Sequence, residues 1–185
     1  GVFVATLGRV AFVPDKNGDG KGDAEIVVAD GWAPPQRLAG GASDCLGLAL
    51  DKDGSVWFGL GTKNMNSPYV PDDAGKMTYN VADERGSIWR VSADFKTREK
   101  ICSGIRYPVG FAFNAAGDLF VTDQEGATWL PNGNPFDELL HIQTGRHSGF
   151  PPRHPKHLPE VFDEPSVFDY GPQHQSACGM RFNEG

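Results

Sequence analysis

One short phrase returns three times along this chain: Gly47-Leu-Ala-Leu-Asp-Lys-Asp-Gly54, Gly110-Phe-Ala-Phe-Asn-Ala-Ala-Gly117 and Gly179-Met-Arg-Phe-Asn-Glu-Gly185, where the third repeat stops short. The phrase glycines lie 63 and then 69 residues apart. That period is too long for helical or leucine-rich repeats and matches one four-stranded propeller blade with long loops. Strand-like runs, Ser55-Val-Trp-Phe58 and Asp118-Leu-Phe-Val121, follow the first two phrases, so each reads as strand, Asp/Asn/Gly turn, strand. A third strand recurs as Arg9–Val13, Ser87–Val91 and, more loosely, Glu138–Ile142, with a fourth at Glu25–Val28 and Arg98–Cys102. The expected fold is all-β: a partial β-propeller of about three four-stranded blades, a single domain over 1–185 that is open at both ends.

Composition supports this and excludes other classes. The 24 Gly and 14 Pro, with no long segment of helical apolar spacing, describe a loop-rich β chain. A net charge of −7 argues against a nucleic-acid surface. No apolar run approaches a membrane span, and no signal-peptide pattern is visible.

The sharpest chemical pattern is Asp15-Lys-Asn-Gly-Asp-Gly-Lys-Gly-Asp23. Oxygen-bearing Asp15, Asn17, Asp19 and Asp23 stand at positions 1, 3, 5 and 9, with Gly20 at the tight-turn position and the Lys21 carbonyl at position 7, as in Ca²⁺ loops. Position 12 is Ile26 and the flanks are strands, so this is not an EF-hand. The expectation is a calcium-type loop over 15–23 that stabilises a long hairpin; the alternative is a metal-free turn held by Asx hydrogen bonds.

In a propeller, residues just before each innermost strand line the channel mouth. Four before each phrase glycine stand Ser43, Arg106 and Gln175, with Asp44, Tyr107, His174 and Ser176 beside them. This polar ring with one fixed cation suits a small polyhydroxylated or anionic ligand. An excursion from Gln124 to Glu138, containing Trp129, leaves the second blade, and a polar loop over 65–84 is inserted between the second and third strands of the first. His154 and His157, in a proline-rich loop with His147 nearby, read as loop histidines rather than a zinc site. Cys45, Cys102 and Cys178 are odd in number, and Cys45 and Cys178, beside equivalent inner strands, read as small buried side chains. No Cys-x-x-Cys-His is present, so no haem attaches to this segment.

The runs Arg106-Tyr-Pro-Val-Gly-Phe-Ala-Phe113, Gly117–Asp123 and Asp137-Glu-Leu-Leu-His-Ile-Gln-Thr-Gly-Arg-His-Ser-Gly-Phe-Pro151 resemble the soluble quinoprotein glucose and sorbosone dehydrogenases. More narrowly, the acidic loop with Val28-Ala-Asp-Gly31 and Asp169–Gln175 is similar to a planctomycete-type branch often labelled membrane-bound dehydrogenases. The resemblance implies a six-bladed propeller that uses pyrroloquinoline quinone (PQQ) and Ca²⁺ to oxidise a sugar or alcohol hydroxyl. It makes Arg106 a PQQ contact and the Gly126 and Ala127 carbonyls ligands of the activating Ca²⁺. Glu138 and the Ser148 carbonyl would be ligands of a second, structural Ca²⁺. It also implies export to the periplasm or cell surface, and a c-type haem domain or other electron acceptor outside this segment. The position of the family's histidine base holds Ser43, which cannot serve alone, so His174 and Asp44 are the candidate bases. The alternative reading is a calcium-stabilised propeller that binds a carbohydrate or protein without catalysis.

Overall fold

The two complete phrases fold as the hairpins their turn residues require. Gly54 N–H donates to the Asp51 carbonyl (3.0 Å) and Gly117 N–H to the Asn114 carbonyl (3.1 Å). Both glycines sit in the left-handed region, at φ 83° and 94°, where a Cβ is disfavoured. A computed structural model describes residues 1–33, 44–63, 73–74, 80–125, 135–151, 161–171 and 175–183.

Eleven strands and no helix occur among these residues, in three antiparallel sheets. The first holds β1 (Val2–Thr6), β2 (Arg9–Val13) and β3 (Ile26–Asp30) in that order. The second holds β4 (Cys45–Leu50), β5 (Val56–Leu60), β6 (Ser87–Val91) and β7 (Arg98–Ser103), again in order. The third holds β8 (Pro108–Phe113), β9 (Leu119–Asp123), β10 (Asp137–His141) and β11 (Phe168–Tyr170), with β8 at one edge. The phrase strands β4 and β8 are thus edge strands of their sheets, and each carries a register shift just before or across its phrase glycine. This is the partial propeller expected, with two four-stranded sheets and one three-stranded sheet.

Adjacent sheets pack through two cores. Val10, Val28 and Trp32 meet Val56, Phe58 and Val91 between the first and second sheets. Ile88, Ile101 and Ile105 meet Leu119, Val121 and Leu140 between the second and third. Each such side chain contributes about 1.5–3 kcal/mol by leaving water.

The phrase glycines have a structural reason. A Cβ on Gly47 would lie 2.2 Å from the Val109 carbonyl oxygen, and one on Gly110 would lie 2.3 Å from that of Cys178. Val109 precedes Gly110 and Cys178 precedes Gly179, so each phrase glycine marks where the next phrase crosses at backbone contact. Ring packing repeats in step: Trp57 meets Phe113 edge-on at 5.7 Å, and Phe120 meets Phe182 likewise at 5.1 Å.

Three elements differ from expectation. The third phrase takes the position of an inner strand but forms no ladder among the described residues. β11 is three residues long in a Pro-punctuated stretch, too short to give a periodic signal. Cys178 is exposed, unlike the buried Cys45 and Cys102.

Candidate functional site

Antiparallel register brings one set of strand ends together: Cys45 opposite Leu60, Leu60 opposite Ser87, and Ser87 opposite Ser103. In the third sheet Pro108 lies opposite Asp123, and Asp123 opposite Glu138. The residues entering β4 and β8 therefore share one end of the assembly with the ends of β5 and β9.

Asp44 sits there and is buried. Its Oδ1 accepts from Trp32 Nε1 (2.9 Å) and from Arg85 Nη2, and its Oδ2 accepts from Gly8 N–H. Arg85, itself buried, also donates from Nε to the Ala33 carbonyl (2.7 Å). This network ties the β1–β2 turn of the first sheet to the start of β4. Both oxygens of Asp44 are engaged in holding two sheets together, so this candidate base also anchors the first sheet to the second.

The second four-stranded sheet carries different chemistry at the same end. Period-2 alternation along β9 points Leu119, Val121 and Asp123 into one core, and all three are buried. Where the equivalent strand of the preceding sheet ends in buried Leu60, β9 ends in a carboxylate. Asp123 Oδ2 accepts from Arg106 N–H (2.7 Å) and Oδ1 from Tyr107 N–H (2.5 Å), which fixes the entry into β8. Arg106 is buried, donates from Nη1 to the Gln124 carbonyl, and lies over the Phe150 ring at 6.0 Å. Asp137 Oδ2 accepts from the N–H groups of Gln175 and Ser176, each at 2.7 Å, which docks the approach to the third phrase. Glu125 is buried beside them, and Glu138 Oε2 is buried without a hydrogen-bond partner.

Asp123, Glu125 and Asp137 thus surround the Arg106 guanidinium, with Glu138 beside Asp123 and Glu125. Burial, and then the charges of Asp123, Asp169, Asp163 and Asp137, push the Glu138 carboxyl up to about 8. Burial pushes Asp123 up to about 6 despite its two amide donors. Burial and then the charges of Glu138 and Asp123 raise Glu125 well above the usual carboxylate range. Burial lowers Arg106, while Asp123, Glu125 and Asp137 pull it back up. Glu125 and Asp137 lie on the excursion that leaves the second blade, but nothing in the sequence joins them to Asp123. A carboxylate in register with two apolar residues of an inner strand, as at Asp123, was the available signal.

The structure brings Arg106 and Glu138 into this cluster. Ser148 is buried on the loop after β10, its N–H donating to the Ser103 carbonyl (2.9 Å). Gln175 and Ser176 border the cluster through Asp137. Ser43, Gly126, Ala127 and His174 lie outside the described residues, as do Trp129, His154 and His157. In the 15–23 loop, Asp15 accepts from Gly18 and Gly20 N–H, Asp19 from Lys21 and Asn17, and Asp23 from Lys16. Among the described residues, no three His, Cys, Asp or Glu side chains converge as a metal ligand set. The carboxylates of the expected calcium loop accept from the loop's own backbone amides.

No family model and no curated protein matches the chain. Solved structures do. The PQQ-bound aldose sugar dehydrogenase of Streptomyces coelicolor is similar over 96% of this chain and 50% of its own, at 18% identity and a TM-score of 0.65. The apo-form soluble aldose sugar dehydrogenase of Escherichia coli is similar over 95% of this chain and 54% of its own, at 17% identity and a TM-score of 0.64. The chain spans about half the length of these proteins. Its fold is that of a partial propeller shared with the soluble sugar dehydrogenases.

Proposed function

We propose that this chain forms half of a PQQ-dependent propeller that oxidises a hydroxyl of a sugar or other alcohol. The supporting observation is the buried Arg106–carboxylate cluster at the end of the third sheet, in a fold whose solved relative binds PQQ.

The residues fit a hard cation. Glu138 Oε2 is a buried acceptor without a donor, and burial and then the neighbouring carboxylate charges push its carboxyl up to about 8. A cation there draws its remaining ligands from backbone carbonyls, since the side chains do not converge by themselves. Gly126, Ala127 and Ser148 are the carbonyls the family resemblance puts forward. The same acidity constrains the quinone. A cofactor bearing carboxylates would meet one guanidinium among several acids, so a cation beside Glu138 would favour its binding.

When bound, the quinone supplies the hydride acceptor, and Ca²⁺ polarises its carbonyl. Asp123 holds the backbone at Arg106, whose guanidinium would pair with a quinone carboxylate. Phe150, over which Arg106 lies, would shield that contact from water. Asp44 fixes the β4 entry, and His174 takes the hydroxyl proton. Electrons leave to a haem domain or another acceptor, and the protein works in the periplasm or at the cell surface.

The test adds PQQ and Ca²⁺ and measures aldose-dependent dye reduction, with quinone retained on desalting. Arg106→Ala is expected to lower quinone retention at least tenfold; unchanged retention would remove Arg106 from the site. Sugar binding with no dye reduction across a panel of aldoses and alcohols supports instead the non-catalytic carbohydrate-binding reading, which the engagement of Asp44 favours.

A further inference from the structure

We propose that Arg85 is a positioning residue for Arg106: it touches no ligand itself and sets the guanidinium that meets the quinone, acting through the backbone of Gly61 and Thr62. The inference rests on the quinone reading above and adds to it a residue from the preceding sheet.

Arg85 stands just before β6, where its planar fork gathers three separate stretches of chain. Nε donates to the Ala33 carbonyl (2.7 Å), Nη1 to the Gly61 carbonyl (3.4 Å) and Nη2 to Asp44 Oδ1. The Arg85 side chain is 3% exposed and that of Asp44 5% exposed, so the pair is buried. Charges taken this far from water persist only where hydrogen bonds hold them, and those bonds hold the surrounding backbone in return.

Gly61 transmits the effect. It follows β5, its N–H donates to the Asp44 carbonyl (3.1 Å), and its carbonyl accepts a second bond from Gly86 N–H (3.3 Å). The next N–H along, that of Thr62, donates to the Arg106 carbonyl (2.9 Å). One short stretch leaving β5 therefore carries both the entry into β4 and the entry into β8. Gly86 supports the second entry from the other side. Its carbonyl accepts from Ile105 N–H (3.2 Å), and at φ 68° a Cβ on it would lie 3.1 Å from the Ile105 carbonyl oxygen. That oxygen belongs to the peptide whose N–H Arg106 presents to Asp123.

Arg106 is thus held at three points: its N–H by Asp123, its carbonyl by Thr62, and its side chain by the Gln124 carbonyl. The first and third holds come from the end of β9, in its own sheet. The second crosses from the neighbouring sheet, and Arg85 is the buried side chain behind it. Lysine cannot take its place. An ammonium keeps the charge opposite Asp44 but has no planar fork to span the Asp44 carboxylate and the Gly61 carbonyl together. Arg85→Lys therefore leaves the buried carboxylate paired while loosening Gly61, whereas removing the charge altogether would strand Asp44 and endanger the fold.

The experiment titrates PQQ, in millimolar Ca²⁺, into the protein that carries this chain and follows the quenching of tryptophan fluorescence. The native sequence, Arg85→Lys, Arg106→Ala and the double variant are compared. Arg85→Lys is expected to raise the dissociation constant about tenfold in the native background and to leave it unchanged in the Arg106→Ala background, since a residue that acts through Arg106 has nothing to act on once that side chain is gone. Gly54→Ala is the control for stability alone. It strains a left-handed turn at the opposite end of the second sheet, at φ 83°, and is expected to lower the unfolding midpoint while binding PQQ like the native protein. A native protein that takes up no PQQ would remove the quinone reading and this role with it. PQQ uptake that Arg85→Lys leaves unchanged would overturn the role alone and leave the quinone reading standing. So would an equal loss in both backgrounds, or a like loss in Gly54→Ala, each of which marks a general effect of stability.

Discussion

Gly47→Val is expected to lower the thermal unfolding midpoint by about 10 °C or more, or to abolish the cooperative transition. The new Cβ would lie 2.2 Å from the Val109 carbonyl oxygen and 2.3 Å from the Phe111 ring, and the first obstacle is backbone that cannot swing aside. Accommodating it means separating β4 from β8, which opens the packing between the second and third sheets. Overpacking costs about 1–3 kcal/mol where side chains can shift and more where they cannot, against a total stability of about 5–15 kcal/mol. Gly179→Val is the internal control, with the same phrase position and nothing in the way within one chain. Equal destabilisation by both substitutions would show that the glycines serve local backbone conformation and not the crossing of successive phrases.

That contrast shows how far the sequence could be read. The phrase and its 63- and 69-residue spacing were sufficient for the sheets, because a Gly-initiated strand followed by an Asp/Asn/Gly turn is local information. β4, β5, β8 and β9 appear where the phrases put them. The reason for the glycines was not legible, since it lies in a backbone contact between strands some 60 residues apart. The site divides the same way. Arg106 and Glu138 were visible through a family resemblance, whereas the contacts of Asp44 were not. Its partners Trp32, Arg85 and Gly8 come from three other places in the chain. The Asp-rich loop at 15–23 fulfils its spacing rule yet closes on its own amides, because Asx turns and cation loops draw on the same residues.

The pH dependence of stability is expected to run opposite to that of most acidic proteins. Asp123 and Glu138 hold their protons more tightly folded than unfolded, with carboxyls raised to about 6 and about 8. Between roughly pH 4 and pH 8 the native state therefore binds more protons than the unfolded state, and stability falls as pH rises. The contribution is fully present below about pH 4, the unfolded range, and is lost as pH passes through the folded values. A cation that neutralises the ionised cluster removes this loss. At a hundredfold excess over its dissociation constant it adds about 2.7 kcal/mol, or about 5–10 °C in a chain of this size.

The functional reading stands on the claim that these buried carboxylates form a cation seat, and thermal unfolding at pH 5 and pH 8, in chelator and in millimolar Ca²⁺, tests it most directly. The account predicts a lower midpoint at pH 8 than at pH 5 in chelator, recovery at pH 8 on adding Ca²⁺, and loss of that Ca²⁺ response in Glu138→Gln. A midpoint in chelator that does not fall toward pH 8, or a Ca²⁺ response that survives Glu138→Gln, would contradict it.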